Sequence, residues 1–122
     1  MSTASGHTTA IRASKVKGTD IFNTTGDKIG KVEDVILDKL SGKVLFAAIG
    51  FGGVLGMGEK YAPVPWSVLD YDEDKEGYVV PLSEDVIKQA PVYSISDLVK
   101  SDANLAKIRD KSYDYYKVTR DW

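Results

Sequence analysis

Cysteine is absent from this 122-residue chain, and histidine occurs once, at His7. No disulfide can form and no thiolate can attack a substrate or hold zinc. A lone imidazole completes neither a metal site nor a hydrolytic triad. Charge of one sign is also scarce: 16 basic residues stand against 18 acidic ones, interspersed, for a formal net charge of −2. With no basic stripe to neutralise phosphates, direct nucleic-acid binding is not expected. Nothing approaches the roughly 18 consecutive apolar residues of a transmembrane helix. Residues 1–13, rich in Ser, Thr, Ala and Gly, lack the apolar stretch of a secretion signal and read as an N-terminal arm. The absences together predict a soluble protein of the reducing cytoplasm.

What is present is the punctuation of short strands. Between Lys15 and Pro81, turn residues recur about every ten positions with β-branched or aromatic residues between them. Residues 16–22 predict a first strand, and Asn23-Thr24-Thr25-Gly26-Asp27 a turn. Residues 29–38 predict a long strand in which Gly30 marks a bend. Leu40-Ser41-Gly42-Lys43 turns the chain into a second arm over residues 44–49, giving a hairpin. Residues 60–66 form a further strand whose Pro63 and Pro65 cannot donate to a ladder, which assigns it to an edge or a barrel rim. Residues 67–71 make a corner, 72–77 a charged turn and 78–80 a short last strand. After Pro81 the character changes: Ser83 suits the N-cap of a helix over 84–90, stopped by Pro91. Ser94-Ile95-Ser96-Asp97 has capping-box spacing for a thinly apolar tail helix carrying Leu105, Ile108 and Arg109. The fold class is mainly β, with a C-terminal helical extension.

Each constellation that might carry chemistry fails in detail. Gly53 and Gly58 have the outer spacing of a phosphate-binding loop, but Glu59 stands where its lysine belongs, and Pro63 and Pro65 forbid the helix that must follow. Leu55 occupies the third glycine position of a dinucleotide fingerprint. Asp70, Asp72 and Asp74 begin like a calcium loop, yet Lys75 replaces the turn glycine and Pro81 the bidentate glutamate, so a solvated acidic turn is expected. Glu33 and Asp34 are adjacent on a strand and point to opposite faces, which excludes a paired acid and base. No catalytic residue, metal site or cofactor is predicted. Trp66 reads as a core aromatic that plugs the barrel.

Two groups of residues remain for binding. Phe51, Val54, Leu55 and Met57 sit on a glycine-rich connection, and apolar residues gathered at a surface mark contacts with another chain or fold back on the core. Tyr113, Tyr115 and Tyr116 are aromatics of the kind enriched between proteins, or else they cover the open end of a barrel.

The order of residues resembles the PRC-barrel family, named for the cytoplasmic domain of the photosynthetic reaction-centre H subunit and found also in a ribosome-maturation factor. The resemblance runs through Gly18, Asn23, Gly26, Ile29-Gly30-Lys31-Val32, Asp34-Val35-Ile36-Leu37-Asp38, Gly42, Gly50, Gly52-Gly53, Leu55-Gly56, Gly58 and Ala62-Pro63-Val64-Pro65-Trp66. It implies a small β-barrel of about six strands used as an assembly or adaptor module, with no catalytic residues to carry over. The expected organisation is an arm over 1–13, a PRC-barrel domain over 14–92 and a helical extension over 93–122.

The function expected is therefore non-catalytic protein binding with self-association, as a homodimer, through an exposed sheet edge or the segment from Phe51 to Met57. An accessory role in RNA processing or ribosome maturation is the alternative, opposed by the net charge. An enzyme with a barrel-end pocket ranks last, for want of an acid, base, nucleophile or metal set.

Overall fold

The computed structural model describes residues 10–51 and 60–120. The chain opens with one helical turn, α1 (Ala13–Val16), and then β1 (Asp20–Phe22). The single strand expected over 16–22 is thus divided. Gly18 adopts φ +91°, a conformation that breaks an extended run. Thr19 Oγ1 then donates to the Lys15 carbonyl at 2.7 Å, closing the α1 turn. The next turn forms as its composition implies: Asn23 Oδ1 accepts from the amides of Thr25 and Asp27 at 3.1 and 2.9 Å.

The framework is the hairpin of β2 (Lys28–Leu37) and β3 (Val44–Phe51), antiparallel from Gly30↔Phe51 to Leu37↔Val44. Its turn is held by Asp38, whose carboxylate accepts from the Leu40 amide at 3.0 Å, and by Gly42 at φ +76°. A register shift between Val32 and Asp34 bulges β2 at Glu33. Gly30 is required by close approach: a Cβ there would collide with the Gly50 carbonyl oxygen.

Next come β4 (Lys60–Pro65), a single 3-10 turn at Trp66–Val68, β5 (Asp70–Asp72) and β6 (Gly77–Val79). α2 (Glu84–Lys88), β7 (Tyr93–Ser94), α3 (Ile95–Leu98) and α4 (Asp102–Tyr116) complete the chain. Among the described residues the seven strands lie in the order β5-β6-β1-β2-β3-β4-β7, all antiparallel except β1 with β6. Ser83 caps α2 by accepting from the Val86 amide. The tail is two helices where the capping-box reading implied one: Ser94 caps α3, and Ser101 restarts the chain as α4 by accepting from the Asn104 amide at 3.1 Å.

Cross-strand rows place the core. Val35, Ala47 and Val64 stand opposite one another, as do Val32, Ile49 and Ala62, and both rows face inward. Ile21 of β1 and Tyr78 of β6 join the same buried cluster, so the sheet curls round a single interior, the geometry of a small barrel. Full burial of one such aliphatic side chain is worth roughly 1.5–3 kcal/mol. Trp66, half-buried, packs on the margin of this cluster with its ring edge against Tyr78, centroids 5.4 Å apart.

Candidate functional site

Two of the carboxylates that suggested chemistry in the sequence, Asp72 and Asp34, are used by the backbone. Asp72 accepts from the amides of Asp74 and Lys75 at 2.9 and 3.1 Å, which makes the 72–77 segment a capped acidic turn. Asp34 accepts from the Val35 amide at 2.8 Å. Among the described residues no three His, Cys, Asp or Glu side chains are grouped as a metal would need.

The sheet's described edges are ill-suited to pairing. β5 is three residues long and brings Asp70 and Asp72 with it, so two copies meeting edge to edge would oppose like charges. The free side of β4 is paired by β7 only at Lys60 and Tyr61. Beyond that point Pro63 and Pro65 interrupt the run of amides, as their place in the sequence implied.

The binding candidates separate sharply. Phe51 is a correction: it belongs to β3, is 1% exposed and packs in the barrel interior, because the strand continues through Gly50 and keeps its inward alternation. Val54, Leu55 and Met57 lie outside the described residues. Tyr113, 8% exposed, packs on the outside of the barrel, and Tyr116 packs against the interior cluster. Tyr115 donates its hydroxyl to the Val86 carbonyl of α2 at 2.6 Å and meets the Tyr116 ring edge-on. With α4 docked, Tyr113 and Tyr116 are turned to the barrel and closed to a partner. Burial, with the neighbouring Tyr115 adding to it, pushes the Tyr116 phenol well above its ordinary range.

The surface that sequence reading missed is the outer wall. Ile36, Phe46 and Pro65 form one cross-strand row there, and Asp34, Ala48 and Pro63 the next. Phe46, Ala48, Pro63 and Pro65 are all completely or almost completely buried. What buries this wall is the chain after β6: Tyr93, Leu98, Leu105, Ile108 and Tyr113 pack with Ile36, Phe46 and Ala48 in a second apolar cluster, and α4 lies against β4. The signal was the uninterrupted apolar run from Val44 to Ile49, the pattern of a strand covered on both faces.

A curled sheet with a filled interior, turned by glycines and carrying the proline-bearing β4, defines a small β-barrel module. The chain belongs to the PRC-barrel domain family, whose pattern matches residues 8–87. No curated protein sequence matches the chain. The match ends within α2, so β7, α3 and α4 lie beyond it. No helix of the described residues is long and apolar enough to cross a membrane.

Proposed function

We propose that this chain is a cytoplasmic, non-catalytic protein-binding module of the PRC-barrel type that self-associates as a dimer. The observation that carries the reading is the apolar outer wall. A barrel needs apolar residues inside; a second apolar set outside is useful only when another stretch of polypeptide lies on it. Here Ile36, Phe46 and Ala48 are covered by the chain's own extension, which makes the barrel a platform for polypeptide docking. Self-association is assigned to the glycine-rich segment with Val54, Leu55 and Met57, since acids protect the β5 edge and prolines interrupt that of β4.

Light scattering coupled to size exclusion tests this directly. The full chain at tens of micromolar should run at twice its 13.3 kDa mass. Leu55→Asp should halve that mass while the far-ultraviolet spectrum stays unchanged. A full chain that is monomeric at every concentration would overturn self-association, and a dimer indifferent to Leu55→Asp would move the contact elsewhere.

A further inference from the structure

The sheet ends at β5, and three rings gather there. Tyr71 of β5 stands directly opposite Tyr78 of β6 and so shares its face of the sheet. Tyr78 meets both Tyr71 and Trp66 edge-on, with centroids 5.1 and 5.4 Å away. The shared ring is buried, but Tyr71 is 46% exposed and Trp66 is half-buried. Two partly open rings are thus braced by a third and lie no more than about 10.5 Å apart, close to the roughly 9 Å turn of a polyproline II helix. Polar groups accompany them. Among the described residues no hydrogen bond engages the Trp66 indole N–H or the Tyr71 hydroxyl, so each keeps a donor to offer. Residues 70–76 carry five acids against one base, Lys75, and that ammonium lies 5.4 Å from the Phe22 ring centre.

These features together select an occupant. Open aromatic faces favour flat apolar rings, ring-borne donors favour a backbone whose carbonyls are unbonded, and the acids favour a cation. A polyproline II segment supplies the first two, and an arginine beside it the third. A second copy of this chain is ill-matched, since two acidic edges would meet. We infer that the face formed by Trp66 and Tyr71 is a docking surface for a proline-rich, arginine-bearing segment of another protein. The prolines lie on the two rings, the indole N–H and the phenol O–H donate to carbonyls of the segment, and its arginine pairs with the exposed Asp70. The inference rests on reading the barrel as a protein-binding module, and it does not involve the residues assigned to the dimer contact.

The probe is a synthetic proline-rich peptide with an arginine at each end, titrated into the full chain and followed by amide and indole NMR. Two control peptides of equal length carry glutamate for arginine, or alanine for proline. The probe should move the Trp66 indole resonance and the Tyr71 and Asp70 amides, and should bind about tenfold more tightly than either control. Tyr71→Ser should weaken it about tenfold with the far-ultraviolet spectrum unchanged. Asp70→Asn should weaken it about threefold, a difference that raised salt erases. Equal binding of either control, shifts confined to other strands, full affinity in Tyr71→Ser, or no binding at millimolar peptide would overturn the docking surface. A chain that dimerises in light scattering yet refuses the probe loses this surface and keeps its self-association. One that takes the probe as a monomer keeps the surface and loses only its dimer.

Discussion

The barrel interior and its outer wall are both apolar and both buried, yet they are built differently. The interior gathers alternate residues from five strands, Ile21, Val32, Ile49, Val64 and Tyr78 among them, and most of these residues lie within the part of the chain that matches the family. The outer cluster takes one face from the β2-β3-β4 wall and the other from residues beyond that match, including the tyrosines Tyr93 and Tyr113. The interior also takes Val16 from α1, Ile87 from α2 and, at its margin, Tyr116 from α4, and it must form for the fold to exist. A wall closed by a terminal helix can open while the sheet persists, because opening breaks no ladder and touches the interior at its margin, at Tyr116.

The comparison can be broken most forcefully at Phe51. Phe51→Ala should cost about 3–5 kcal/mol and lower the urea midpoint of the whole molecule, since it leaves a cavity in the interior. A loss below about 1 kcal/mol would mean that the ring is not part of that core. Ile108→Ala, at the outer cluster, should cost about 2–4 kcal/mol of α4 docking. Native-state hydrogen exchange should then show faster exchange across α4, with β2 and β3 still protected; simultaneous loss in both would make the two clusters one cooperative unit. Removing the cap with Ser101→Ala should cost about 1 kcal/mol, again confined to α4. Even exchange throughout the chain would contradict that.

The smallest effect is at Asp38, on the hairpin tip. The Leu40 amide, followed by the Ser41 hydroxyl, holds its carboxyl below the ordinary carboxylate value, and Arg109 of α4 adds a minor share. Because the folded value is depressed, this contribution to stability is complete above the ordinary carboxylate range and is lost as pH falls through the folded value. The Leu40 amide shift should report that titration, and Asp38→Asn should abolish it. An Asp38 that titrates at the ordinary value would remove the turn's hold on the carboxylate.

Much of the barrel was legible in the chain because its signals are local. Asn23 with Gly26, Asp38 with Gly42, and Ser83 ahead of Glu84 each act within a few residues, so turns and caps can be read where they stand. Pro63 and Pro65 restricted β4 by the same logic. The failures were non-local. Gly50 looked like the start of a loop, but pairing with Lys31 carries β3 on to Phe51, which removed that residue from the candidate surface. β7 has only two residues and exists because Lys60 and Tyr61 offer them a partner. The tail tyrosines carry nothing in their spacing to say whether a partner or the barrel receives them.

The amino-acid order alone determined the turn positions, the strand-rich character and the family, since each depends on backbone preferences that a residue and its neighbours set. It also determined that thiol chemistry is impossible, because the atoms are missing. Only the tertiary structure decided that the sheet has two buried faces, that α4 lies on the outer one, and that Tyr116 near its end reaches the interior cluster. Those facts arise from contacts between segments far apart in the chain, where burial depends on what arrives from elsewhere.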